Sequence, residues 1–122
     1  MYQQPPTSFT VTIADNAAIS GAFRMHEYAG GIVTVPTGWV AANIGFQVCD
    51  TETGTYTILR EDDADQPVQI VSVSTSASRS YKIPNDVFPA HWVKLWSKSA
   101  TAATETDVNQ TGGPLTFTLM LK

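Results

Sequence analysis

The chain has 122 residues, the length of one ordinary domain, and its seven Lys and Arg against eleven Asp and Glu give a formal net charge of −4. The basic residues are scattered between Arg24 and Lys122, whereas nucleic-acid binders show a basic face, so nucleic acid is not expected as a ligand. The single cysteine, Cys49, permits no internal disulfide, and no apolar run approaches the ~20 residues that span a bilayer, which excludes a disulfide scaffold and a helical membrane protein.

The first eight residues, 1–8, stand outside any strand pattern. They contain Pro5 and Pro6 side by side, and such a pair favours an extended backbone without internal hydrogen bonds. We predict an N-terminal arm that contacts a neighbouring chain through Tyr2, Pro5 and Pro6. The segment has neither the basic nor the apolar region of a signal peptide, so none is expected.

From residue 9 to residue 122, apolar and polar residues alternate almost throughout, which is the pattern of half-buried strands. The predicted strands cover residues 9–13, 19–25, 32–35, 44–48, 56–59, 68–73, 79–83, 92–96 and 115–121. Turn-forming Gly, Pro, Asn and Asp separate them, and one helical turn is expected over 85–88. We predict an all-β domain over 9–122: a single antiparallel β-sandwich of about eight or nine strands, jelly-roll-like, with an immunoglobulin-like sandwich as the alternative.

The strand predicted over 92–96 decides where two large aromatic side chains point. Trp92, Lys94 and Trp96 share one face of it, and Val93 and Leu95 share the other. If the aliphatic pair faces the core, both tryptophans lie on the outer face, where tryptophan favours protein interfaces and can stack on sugars. The reverse orientation buries them. We take Trp92 and Trp96 as candidate interface residues.

Residues 97–111 form a polar stretch without aromatic side chains. Loops of this length are uncommon inside compact domains and are usually functional or mobile. We therefore take Thr104 and Val108 as further candidate interface residues. A disordered tip is the alternative interpretation.

The acidic run over 61–65 is the sharpest charge feature of the chain. Asp62, Asp63 and Asp65 are weak candidates for a Ca²⁺ site, because a hard cation is bound by several oxygens and one acidic loop can supply some of them. The Gly and Glu that complete an EF-hand loop are missing, so a solvated hairpin loop is the other interpretation. No cofactor is predicted.

No catalytic constellation can be assembled from the sequence. Nucleophilic catalysis needs a nucleophile, a base and a group that orients the base. The chain has only two histidines, His26 and His91, and no Gly-x-Ser-x-Gly stretch. We predict that it is not an enzyme.

The order of the strand motifs carries a resemblance to a known family. The motifs GIVTVP at 31–36, WVAANIGFQV at 39–48, YKIP at 81–84, WVKLWS at 92–97 and LTFTL at 115–119 follow one another. This order resembles small β-sandwich virion proteins of tailed phages, over roughly residues 10–122. The resemblance implies a capsid cement or decoration protein, or a fibre module. It further implies a homo-oligomer, with a trimer favoured, that binds the major capsid protein or another virion protein, assembles in the host cytoplasm and lies on the capsid surface. It implies neither a membrane nor a nucleic-acid partner.

A carbohydrate-binding or fibre module is the competing interpretation. It uses Trp39, Tyr56, Trp92 or Trp96 as stacking platforms and the acidic run over 61–65 for calcium. Trp39 follows a Pro-Thr-Gly turn, so we expect it near a loop, where it caps one end of the core.

Overall fold

The computed structural model describes residues 7–62, 66–101 and 104–122. Its strands are β1 (Thr7–Ile13), β2 (Phe23–Arg24), β3 (Gly31–Val35), β4 (Asn43–Cys49), β5 (Thr57–Ile58), β6 (Gln69–Ile70), β7 (Arg79–Lys82), β8 (Trp92–Lys98) and β9 (Leu115–Leu121). A 3-10 turn spans Asn85–Val87. Each strand falls on a predicted strand and the turn falls on the predicted helical turn. Of the residues described, none forms a helix of the length and apolarity needed to cross a membrane.

The strands form two antiparallel sheets with a nested order. The first sheet runs β1-β9-β3-β7 and the second β2-β8-β4-β5, with β6 also paired to β4. The outermost pair of the chain, β1 with β9, lies in the first sheet, the next pair, β2 with β8, in the second, and the alternation continues inward. Nested strand pairs that alternate between two sheets define the jelly-roll topology. The predicted antiparallel sandwich is confirmed.

The core lies between the two sheets and is built from one phase of each strand. In β9, residues 115, 117, 119 and 121 are all buried, while Thr116 between them is exposed. Alternate residues of four other strands also point into the core: Val11 and Ile13 of β1, Val33 and Val35 of β3, Ile44 and Phe46 of β4, and Val93 and Leu95 of β8. The alternation arises because successive side chains of a strand point to opposite faces of the sheet.

Trp39, in the connection between β3 and β4, belongs to this core. The residue is buried, its indole Nε1 donates a hydrogen bond to the Ala42 carbonyl at 3.1 Å, and its ring meets the edge of Phe117 at a centroid distance of 5.7 Å. The polar end of the indole is thereby satisfied inside the protein. Trp39 is therefore not available as a platform for sugars.

The predicted arm over 1–8 requires a correction at its inner end. Thr7 pairs with Leu121 and Ser8 with Met120, so both residues belong to β1. The reason is that β9 continues for two residues past Leu119, the partner of Phe9. Met120 and Leu121 therefore pair with the two residues that precede Phe9 in the chain. Tyr2, Pro5 and Pro6 lie outside the described residues, and their role in an interface stays a prediction.

The stability of the sandwich should depend strongly on the buried phase of β9. We expect Phe117→Ala to lower the free energy of unfolding by about 3–5 kcal/mol, because it removes a fully buried ring and leaves a cavity beside Trp39. Urea unfolding followed by tryptophan fluorescence measures the change. The matched control is Thr116→Ala, its exposed neighbour on the opposite face, for which we expect a loss below about 1 kcal/mol.

Candidate interaction surfaces

The outer face of the first sheet presents the second phase of four strands to solvent. The alternation and the cross-strand register place these residues on it: Ser8, Thr10 and Thr12 of β1, Thr116, Thr118 and Met120 of β9, Ile32 and Thr34 of β3, and Ser80 and Lys82 of β7. We call this surface the hydroxyl face. Lys82 is its only charged member, although the chain carries 18 charged residues, seven basic plus eleven acidic.

The hydroxyls of this face are arranged in cross-strand rows. Thr12 Oγ1 lies 3.1 Å from Thr116 Oγ1, and Thr34 Oγ1 lies 2.7 Å from Ser80 Oγ. Each hydroxyl can both donate and accept, so such a surface can adapt its hydrogen bonds to a partner. The Thr-x-Thr spacing of β1 and β9 is the sequence signal for this face.

An apolar pair lies at one end of the hydroxyl face. Ile32 of β3 and Met120 of β9 are paired in register, and they remain 42% and 40% exposed. Isolated exposed apolar residues are ordinary, but this pair adjoins a surface with almost no charge. The combination gives two large apolar side chains beside rows of hydroxyls, with Lys82, the one charge of the face, directly opposite Ile32 on β7.

The outer face of the second sheet is divided into an open half and a covered half. In the open half, Trp92 is half-exposed and is paired with Arg24 on β2. Lys94, two residues further along β8, places its Nζ 4.4 Å from the centre of the Tyr56 ring, a cation–π contact. Burial, and secondarily the nearby Cys49 and Glu52, raises the pKa of Tyr56. Trp92 thus points outward and remains half-exposed, and its role in an interface stays a prediction.

Trp96 lies in the covered half, and here the prediction is wrong. Val93 and Leu95 do face the core, so Trp96 points outward, but it is only 1% exposed. Its Nε1 donates to Asp107 Oδ1 at 2.7 Å. The ring approaches Gly45 of β4 closely, so that an added Cβ there would sit 2.6 Å from Trp96 Cε3. Trp96 is therefore a packing residue and not part of an exposed interface.

The cover over Trp96 is formed by residues 99–110, which we call the strap; the structure describes it except for 102 and 103. Backbone bonds tie it to the domain: Ser99 N to Thr106 O at 2.8 Å, Val108 N to Ser97 O at 2.9 Å and Gln110 N to Ala17 O at 2.8 Å. The Glu105 carboxylate adds a two-pronged ion pair with the Arg60 guanidinium. The described part of the strap is thus docked on its own domain.

The two interface candidates in the strap have different environments. Val108 is half-buried and packs against the core, so most of its contact area is already used within the domain. Thr104 is half-exposed at the strap's turn, where its N–H donates to the Thr101 carbonyl at 3.1 Å. Only Thr104 keeps a sizeable exposed surface.

Buried polar side chains that sequence reasoning missed hold the strap in place: Lys98, Gln110 and Asn43, whose Nδ2 donates to the Ala100 carbonyl at 3.3 Å. Lys98 is fully buried, and its Nζ donates to Gln69 Oε1 at 2.8 Å and to the carbonyls of Ser99 and Thr101 at 2.9 and 3.2 Å. Burial lowers the pKa of Lys98, and the Glu105 carboxylate partly opposes that shift. Since a buried ammonium requires hydrogen-bond partners, the inward run of strap carbonyls fixes the chain there.

Gln110 performs the same task at the far end of the strap. Its Oε1 accepts from Val40 N at 2.7 Å, while its Nε2 donates to Val40 O at 3.1 Å and to Ser97 Oγ at 2.9 Å. The bonds join segments about seventy residues apart in sequence. No local pattern in the sequence could have identified this contact.

The acidic run does not assemble a metal site within the described chain. Asp62 is exposed, and Asp63 and Asp65 lie outside the described residues. Elsewhere in the described ranges, no three His, Cys, Asp or Glu side chains lie close enough together to hold a metal ion. The calcium hypothesis for 61–65 stays a prediction.

An open cavity of about 470 Å³ lies at one end of the sandwich. The cavity is lined by Val48, Cys49, Asp50, Thr55, Thr57, Pro89, Ala90 and His91. Cys49 Sγ has Asp50 Oδ1 at 3.7 Å and Thr51 Oγ1 at 3.8 Å, and the His91 ring lies 5.2 Å from that of His26. Among the described hydrogen bonds, none joins Cys49 to a histidine.

Comparison with known proteins gives one informative similarity. The sequence matches no protein-family model and no curated protein sequence. The fold is similar to the crystal structure of the SPBc2 prophage-derived protein YomS, with a TM-score of 0.51 and 16% sequence identity, over 100% of this chain and 99% of that chain. At this level of identity the similarity establishes a shared fold, and function has to be argued from the surfaces.

The buried ammonium of Lys98 should be necessary for the strap. We expect Lys98→Met to lower the free energy of unfolding by about 1–3 kcal/mol, because the carbonyls of Ser99 and Thr101 lose the bonds from Nζ, while Gln69 Oε1 keeps its bond from Asn43 Nδ2. A red shift of tryptophan emission should accompany the loss as Trp96 becomes exposed. Lys94→Met, on the same face of the same strand, is the control and should cost less than about 1 kcal/mol. Equal losses for the two variants would contradict a special role of Lys98.

Proposed function

We propose that the protein is a structural component of a phage particle: a capsid decoration or cement protein that binds and stabilises neighbouring capsid subunits as a homo-oligomer. The observation that carries the proposal is the hydroxyl face, a broad sheet surface with one charge and an exposed apolar pair. The likeness of the whole fold to a prophage-derived protein supports the phage origin, as does the resemblance of the strand motifs to small virion sandwiches.

The chemistry of the hydroxyl face suits docking on another protein. Burying a charge without a partner is costly, whereas a hydroxyl that exchanges water for a protein donor or acceptor costs little. Ile32 and Met120 then supply the apolar area that a partner must bury to gain affinity. Depletion of charge at the centre of a patch is also what distinguishes protein interfaces from the remaining surface.

Repetition on a particle strengthens such contacts. A single hydroxyl face is a modest patch, and one copy bound through it alone would dissociate readily. A homo-oligomer that holds two or more capsid subunits at once converts the later contacts into intramolecular ones, which raises the overall affinity without any new contact. Clamping of adjacent subunits is the stabilising action we propose.

The test is binding to assembled particles. Wild-type protein and an Ile32→Glu variant are sedimented with capsids of the phage from whose genome the chain comes, and with unassembled capsid protein. We expect wild type to bind assembled capsids preferentially. The Ile32→Glu variant should bind them at least about tenfold more weakly, because the substitution places a carboxylate in the buried patch.

The matched control is Val71→Glu, which changes another exposed apolar residue, 53% exposed, that lies off the hydroxyl face. It should bind like wild type. Equal binding by all three proteins would refute docking through the hydroxyl face, and no binding to any virion component would refute the proposed function itself.

Glycan binding by a fibre-type module is the second candidate, favoured by one observation: Trp92 remains half-exposed beside Arg24 on the open half of the second sheet. An aromatic ring beside a hydrogen-bonding cation is a common way to hold a sugar.

For this second candidate we expect added oligosaccharide to quench tryptophan fluorescence in wild type and not in Trp92→Phe. A response abolished by a chelator would assign calcium to the acidic run over 61–65. A glycan array without a single hit would eliminate this candidate, and it would leave the capsid proposal unaffected.

A further inference from the structure

One edge of the sandwich differs from the others. Three edges are formed by short strands: β7 has four residues, and β2, β5 and β6 have two each. Charged side chains lie on or beside these edges: Arg79, Lys82, Arg24 and Arg60. Short length and charge are the usual protection of an edge against pairing with another chain. The free edge of β1 has seven residues, TSFTVTI, with no charge, no proline and an unbroken one-to-one register to β9.

The hydrogen bonds reveal which groups of β1 point to this free edge. Lys122 N bonds to Gly30 O at 3.0 Å, so the even-numbered residues of the last strand face β3 and the odd-numbered ones face β1. In β1 the odd-numbered residues therefore bond to β9 and the even-numbered ones point outward. Thr12 confirms this assignment, because its carbonyl accepts a bond from Gly21 N at 3.4 Å outside the sheet.

Ser8 and Thr10 thus direct their N–H and C=O groups to the open edge, and no bond among the described residues uses them. We propose that this edge pairs antiparallel with β1 of a second copy of the chain, about a two-fold axis at Phe9. In that register Ser8 lies opposite Thr10 of the partner subunit, and each opposed pair exchanges both of its N–H···O bonds. The backbone N–H and C=O groups of Ser8 and Thr10, four in each copy, then all have a hydrogen-bond partner.

The identity of the occupant follows from self-complementarity. A two-fold axis requires the same set of donors and acceptors on both sides, and the outward groups of Ser8 and Thr10 provide it. A register centred on Thr10 instead would require the Thr12 carbonyl, which Gly21 already occupies. Because no residue of β1 is charged, no like charges meet across the axis.

Phe9 adds an apolar contact at the axis. Its side chain is only partly buried, and its ring lies 5.9 Å from that of Phe23 at the margin of the core. In the two-fold pair the ring meets Phe9 of the partner subunit, which covers the remaining exposed area of both. The pairing also joins the two hydroxyl faces into one surface, because it doubles the four-stranded first sheet.

The contact is small, so we expect a weak dimer, with a dissociation constant on the order of 10–100 µM. The order is two, which departs from the trimer that the family resemblance implies. The inference goes beyond the capsid function and does not depend on it, since the pairing takes place in solution without any virion component.

The experiment is sedimentation equilibrium up to millimolar concentration on wild type, Thr10→Glu and Thr116→Glu. Both substitutions place a carboxylate on the exposed hydroxyl face, one on the edge strand and the other one strand inward. We expect wild type and Thr116→Glu to dimerise alike, and Thr10→Glu to dimerise at least about tenfold more weakly, because its charge approaches the same charge across the axis. Adding Ser8→Lys to Thr10→Glu should restore the dimer, since opposite charges then face each other.

Amide exchange in the wild type gives a second readout at the level of residues. Exchange at Ser8 and Thr10 should slow as concentration rises, while Phe9 and Val11, already bonded to β9, should stay slow throughout. A wild type that remains monomeric at millimolar concentration would overturn the inference. So would equal weakening by Thr10→Glu and Thr116→Glu, which would place the contact on the sheet face, or concentration-independent exchange at Ser8 and Thr10.

Discussion

The ladder between β1 and β9 is the constraint on which the surfaces of this protein depend. It joins the start of the described chain to its end through seven paired residues, and it places β9 in the interior of the first sheet. Closing a loop of about a hundred residues is entropically costly, so the ladder persists because the inward phase of β9 is buried at the same time. The hydroxyl face and the free edge of β1 exist only once this closure has taken place.

The two sheets treat their outer faces in different ways. The first sheet leaves its outer face uncovered, with hydroxyls that bond to one another across strands. The second sheet covers half of its outer face with a polar strap, held by Lys98 and Gln110 from below. Among the described residues no buried side-chain nitrogen or oxygen lacks a partner, so burial of these polar groups is offset by hydrogen bonds and the strap is fixed in one position.

This difference between the two outer faces indicates that the first sheet, and not the second, offers the larger open surface for a partner. The strap covers Trp96, which the sequence analysis had taken as an interface candidate. The first sheet keeps an open face with one charge, Lys82, and an uncharged edge strand, β1. A jelly roll shared with a prophage-derived protein supplies only a rigid scaffold, since one fold can carry unrelated functions. The hydroxyl face is therefore the surface through which we propose that the protein binds its partner. The edge of β1 offers a separate contact that would extend this face across two copies.

The sequence by itself determined the positions of the strands and the phase of most of them, because these depend on the two-residue period and on local turn chemistry. It left open which face of β8 points to the core. It did not determine the burial of Trp96, the pairing of Thr7 and Ser8, or the roles of Lys98 and Gln110. The period tells which face a side chain takes, but not what covers that face. Only the tertiary structure decides this, since the covering segments come from distant parts of the chain, as when Gln110 bonds to Val40.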